Sequence, residues 1–138
     1  MSTSPNRLLG LVLGVIYLLV GILGFFLTSE TGFAATSGPK VIDLFQVNPL
    51  HNLVHLAVGI VLVVTALVGI RSARIANMTL GAIFLLVGVV GLLLASPDNA
   101  LNVLAINGAD NVLNFATAVL LLCVGYGADR VIARPKAA

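Results

Sequence analysis

A chain of 138 residues with 59% hydrophobic and only 9% charged side chains, and a mean hydropathy of +1.14, is too apolar for an ordinary soluble domain. Its net charge of +2 and pI near 9.1 come from seven basic residues scattered in short flanks, too few in any one place for nucleic acid. The expected partner is instead the lipid bilayer, and a single cysteine, Cys123 in an apolar run, excludes an intramolecular disulfide and a Cys-x-x-Cys redox pair.

Leu8 to Leu27 carries no charge and, at ~1.5 Å per residue, matches a hydrocarbon core of ~30 Å. It is too long for the apolar region of a secretory leader, so a spanning helix is expected over 8–27 rather than a cleaved segment. Thr28 to Val47 is a Gly-, Ser- and Thr-rich loop. It closes with Val41-Ile-Asp-Leu-Phe-Gln-Val47, too short to span, which is expected at the membrane interface as a short helix or re-entrant segment. A second span follows over about 50–70, with Asn48 as its N-terminal cap and Pro49 where no amide donor is needed. Arg71-Ser-Ala-Arg74 reads as a tight basic turn, 77–95 as the third span, and 109–127 as the fourth, with Asn107 as its cap. Asp129, Arg130, Arg134 and Lys136 form a polar tail. Arg7, Arg71, Arg74, Arg130, Arg134 and Lys136 fall on one side of these spans and only Lys40 on the other, which predicts that both termini are cytoplasmic.

The chain repeats itself. Leu13-Gly-Val-Ile-Tyr-Leu-Leu-Val-Gly-Ile-Leu-Gly24 aligns without gaps on Leu80-Gly-Ala-Ile-Phe-Leu-Leu-Val-Gly-Val-Val-Gly91, keeping every glycine. In the second helix of each half, Asn48, His51, Asn52, His55 and Gly59 align on Asn107, Asp110, Asn111, Asn114 and Ala118. The fold expected is all-α: an integral membrane four-helix bundle made of two parallel-repeat hairpins, about 8–70 and 77–127, related by an axis along the membrane normal. The glycines, with Tyr17 and Phe84, share a sector of about 80° on their helices and mark close-packing seams.

The polar residues concentrate at one end. Asn48, His51, Asn52 and His55 lie within about 100° on one helix face. Their counterparts Asn107, Asp110, Asn111 and Asn114 do the same, and the axis is expected to bring the two faces together, Asn52 near Asn111 and His51 near Asp110. Two histidines at i and i+4 facing a carboxylate have the ligand types of a divalent-metal site, so His51, His55 and Asp110 are the metal- or cofactor-binding alternative. The favoured reading is structural and takes no cofactor: Asn48 and Asn107 are caps, His51 and Asp110 sit in the wet third helical position, and Asn52 with Asn111 bond across the axis. His55 and Asn114 lie in hydrocarbon and need partners. No carboxylate lies inside the first or third span, and there is no phosphate-binding glycine loop, haem-attachment motif or nucleophile elbow, so a non-catalytic protein is expected.

The pattern Asn48-Pro-Leu-His51-Asn52-Leu-Val-His55, followed by Ala109-Asp110-Asn111-Val-Leu113, resembles the bacterial, largely actinobacterial, membrane proteins grouped as domain of unknown function 4383, over about residues 6–130. The resemblance implies a four-helix protein of the bacterial cell membrane and no catalytic residues. It also implies a histidine after the Asp-Asn-x-Leu pattern, where this chain has Asn114. The expected role is a structural or accessory membrane module, as a homo-oligomer or within a larger membrane complex.

Overall fold

Ser4 accepts a hydrogen bond from the Arg7 amide (3.3 Å) and Pro5 fills a position whose amide would have no partner, so helix α1 starts at Pro5 and runs to Leu27. The computed structural model describes residues 4–129 and contains three further helices: α2 (Pro49–Val68), α3 (Ile70–Leu94) and α4 (Gly108–Gly127). The tail residues Arg130, Arg134 and Lys136 lie outside the described residues. The helices are 23, 20, 25 and 20 residues long, and each is long and apolar enough to cross a membrane. They pack as two hairpins, α1 with α2 and α3 with α4.

Two connections differ from expectation. Arg71 to Arg74 is the first turn of α3 and not a loop; the whole connection is Gly69, whose amide donates to Thr65 O (3.2 Å) and whose carbonyl accepts from Ala73 N (2.9 Å). The charges end the apolar stretch but not the helix, since arginine and alanine are both good helix formers. The segment 41–47 is neither a helix nor re-entrant. Strands β1 (Lys40–Val41) and β2 (Phe45–Gln46) pair antiparallel, with Lys40 opposite Gln46. Three residues, Ile42, Asp43 and Leu44, join the strands; Ile42 and Asp43 both take positive φ (48° and 58°), and Leu44 N donates to Val41 O, a tight turn whose twist suits a hairpin.

Each hairpin closes on glycines, and it does so at matching positions. A Cβ on Gly14 would meet Val63, and one on Gly81 would meet Leu122; Gly21 faces Leu56, and Gly88 faces Phe115. In the first half the backbones themselves approach, with Gly59 O against Gly14 and Asn52 O against Gly21, whereas in the second half side chains of α4 fill the space over Gly81 and Gly88. The buried center is Tyr17, Leu62, Phe84, Ala118 and Leu121, drawn from all four helices. Tyr17 and Phe84, aligned in sequence, touch each other with ring centroids 5.5 Å apart. Contact between the halves is made chiefly by α1 and α3 and by α2 with α3, whereas α2 and α4 do not pack against each other. The expected meeting of the two polar helix faces therefore does not occur.

Candidate functional site

The polar end is built from helix caps. Asn48 Oδ1 accepts from His51 N (2.7 Å) and its Nδ2 donates to Ala35 O and Val103 O (both 2.7 Å), so this fully buried side chain starts α2 and ties down two loops. Asn107 does the corresponding work for α4. Its Oδ1 accepts from Asp110 N (2.9 Å), its Nδ2 donates to Leu44 O (2.8 Å), and Asp110 completes a capping box by accepting from Asn107 N (2.9 Å). Asp110 Oδ2 also accepts from Gln46 N (3.1 Å), which fixes the β-hairpin onto α4. Asp110 Oδ2 thus serves two backbone amides at once.

Asn52 and Asn111 do not meet across the bundle. Each lies instead against the glycine of its own hairpin: a Cβ on Gly24 would overlap the Asn52 amide oxygen, and one on Gly91 the Asn111 amide oxygen. Asn52 is fully buried and donates through Nδ2 to Thr28 Oγ1 (3.0 Å). The cross-axis bond fails because α1 and α3, not α2 and α4, supply the nearest backbone.

The two histidine rings lie against each other, tilted by 47°. His51 and His55 have ring centroids 4.4 Å apart, and His55 packs in turn on Tyr17 (5.4 Å). The Tyr17 hydroxyl pairs with Thr117 Oγ1 of α4 (3.1 Å). The Nδ1 atoms of His51 and His55 are buried without a hydrogen-bond partner. Among the described residues, no three of His, Cys, Asp and Glu come together in a group able to hold a metal. His51, His55 and Asp110, the metal alternative, form no such group, and Asp110 Oδ2 accepts from Asn107 N and Gln46 N. Asn114 stands half-buried on α4 one turn beyond Asp110.

A second polar cluster, at the opposite end of the helices, was not anticipated from the sequence. Asp129 Oδ2 accepts from Ser4 Oγ and Asn6 Nδ2 (both 2.7 Å) and from Asn6 N (3.3 Å), and Asn77 Nδ2 donates to Asn6 Oδ1 (2.9 Å) and Asn6 O (3.1 Å). Partial burial alone would raise the Asp129 carboxyl, but the bonds from Asn6 and Ser4 and the nearby Arg74 charge outweigh it and hold the group below the ordinary carboxylate range. Arg7 Nε donates to Ala66 O and Arg74 Nε to Gly125 O, both at 2.7 Å. Each arginine opens the first helix of its half and satisfies a carbonyl in the last turn of the second. The available signal was spacing: Arg7 and Arg74 are aligned in the same register as the paired glycines.

A family model described as a domain of unknown function, DUF4383, matches residues 7–127. The chain belongs to the DUF4383 family. The match takes in nearly all of both hairpins and the polar end at Asn48 and Asn107, while Ser4, Asn6 and Asp129 of the second cluster lie just outside it. No curated protein and no solved structure matches the chain.

Proposed function

We propose that this DUF4383 protein is a non-catalytic four-span module of the cell membrane, structural or accessory in role, whose two hairpins are a parallel repeat about an axis along the membrane normal. The observation that carries this reading is a reciprocal pair of bonds. Asn48 of the first half donates to Val103 O, four residues before the second cap, and Asn107 donates to Leu44 O, four residues before the first. A bond and its counterpart with the halves exchanged is what a twofold relation produces at an isologous contact. Tyr17 against Phe84 supports the same axis, since aligned residues touch only where the axis passes.

Asn48, Asn107, Asp110, Arg7 and Arg74 are used by caps, loop ties and helix-end carbonyls. Such bonds are what a short bundle needs where the backbone leaves the hydrocarbon. Orientation follows from the basic residues: Arg7, Arg71 and Arg74 share the end opposite Lys40, which puts that end in the cytoplasm and the Asn48 and Asn107 caps outside. The test is the composition of the purified full-length protein, by elemental analysis and an absorption spectrum. We expect neither stoichiometric metal nor haem; about one zinc, iron or haem per chain, lost in His51→Ala or His55→Ala, would promote the cofactor reading.

A further inference from the structure

The two halves differ at one buried amide. In the first, Asn52 Nδ2 donates to the Thr28 hydroxyl at the C-terminal cap of α1 (3.0 Å). The aligned cap of α3 is Ala95, which has no hydroxyl, so Asn111 lacks that partner. Asn111 is only 5% exposed, its Oδ1 is buried and unpaired against Gly91, and its side chain donates to no described residue. Beside it, where Thr28 and Leu56 close the first half, Ala95 and Phe115 leave a groove of about 300 Å³ lined by Gly91, Leu92, Ala95, Asn111, Val112 and Phe115.

We infer that this groove between α3 and α4 binds one membrane phospholipid, with an ester carbonyl accepting from the Asn111 amide and an acyl chain lying against Leu92, Val112 and Phe115. Three observations select a lipid. Leu92 and Val112, the outer walls, are each 70% exposed and on spanning helices, so the groove opens to the bilayer and not to water. Asn111 lies three residues into α4, ~4.5 Å along its axis, which is the depth of the headgroup–acyl boundary where ester groups reside. The buried Oδ1 is unpaired in both halves, at Asn52 as at Asn111, so what sets Asn111 apart is its Nδ2, a donor that needs an acceptor at that depth and finds none among the described residues where the first half supplies Thr28. The lining carries no charged group, so the recognition is of the ester and chain rather than of a particular headgroup. The inference rests on the helices spanning the membrane and is independent of whether the histidines have a chemical role.

The experiment is native mass spectrometry of the full-length protein in detergent, titrated with phosphatidylglycerol carrying ester-linked chains and, separately, with its ether-linked counterpart of equal chain length. We expect one ester lipid per chain, bound about three- to twentyfold more tightly than the ether lipid, the range of a single interhelical hydrogen bond. Ala95→Thr restores the partner that Asn52 has, and should lose that preference while raising the melting temperature. Val112→Trp fills the groove from the lipid side without touching the core, and should displace the lipid even if Ala95→Thr fails to fold. Equal binding of ester and ether lipids, or retention unchanged in Val112→Trp, would overturn the proposal. A dimer abolished by Val112→Trp would also overturn it and assign the groove to a second copy. None of these outcomes bears on metal content, which tests the proposed function separately.

Discussion

Asn48 and Asn107 each cap a helix and each reach into the other half of the chain, Asn48 to the carbonyl of Val103 and Asn107 to that of Leu44, at 2.7 and 2.8 Å. The pair does locally what packing between α2 and α4 does not do: it joins the polar ends of two hairpins that otherwise meet chiefly through α3 against α1 and α2. Because each side chain makes a cap and a cross-link at once, its loss is costlier than that of a cap alone.

Gly24 and Gly91 are therefore expected to resist substitution. Gly24→Ala would drive a Cβ into the fully buried Asn52 amide, and overpacking of this kind costs about 1–3 kcal/mol. Gly108→Ala, with nothing within 4 Å of the new methyl group, should change stability by less than about 0.5 kcal/mol. Thermal unfolding of the two variants in the same detergent separates them; equal effects would contradict the close approach at Gly24.

Tyr17→Phe removes the hydroxyl that pairs with Thr117 and leaves Thr117, 4% exposed, without that partner. The expected loss is about 0.6 kcal/mol and no more than about 1.7 kcal/mol, the span measured for interhelical bonds in membranes. Thr117→Val in the Tyr17→Phe background should cost little further, and a double-mutant cycle reads that coupling.

The cluster at Asp129 predicts an acid limb. A carboxyl held below its ordinary value of 3.8 stabilises the fold above that value and loses the contribution as pH falls through its lowered folded value. The contribution of Asp129 to the melting temperature should be constant above about pH 5 and fall away below about pH 4, the ordinary carboxylate range. In Asp129→Asn that fall should be shallower; an unchanged acid limb would remove Asp129 from the explanation.

Both termini are expected in the cytoplasm. In a Cys123→Ala background, Ser37→Cys should react with an impermeant thiol reagent added to intact cells and Ser72→Cys should not. Reaction of Ser72→Cys from outside would invert the topology.

Much of this fold was legible because a helix in lipid must be long, apolar and capped. The four spans, the caps at Asn48 and Asn107 and the glycine seams follow from length, cap chemistry and periodicity. Three features were not legible, each for a physical reason. The start of α3 was misplaced because the boundary of hydrocarbon at Arg74 is not the boundary of helix. The β-hairpin depends on positive φ at Ile42, a residue type that gives no sign of it. The partners of Asn52 and Asn111 depend on which helices lie inside, and periodicity places residues on a face without saying what that face meets. Asn102 lies in an irregular segment with no periodicity to mark it, yet it organises the chain before α4 by donating to Ile106 O (2.9 Å) and accepting from Ile106 N (2.9 Å).

The most direct test of whether the polar end is structural is thermal unfolding of the wild type, Asn48→Ala and His55→Leu, each with a chelator and with added zinc or iron. We expect Asn48→Ala to be the more damaging, at about 2 kcal/mol for a lost cap and lost loop ties, and His55→Leu to cost on the order of 1 kcal/mol, with no curve moved by metal. The opposite ranking, together with a melting temperature that rises with metal in the wild type and not in His55→Leu, would contradict a structural role.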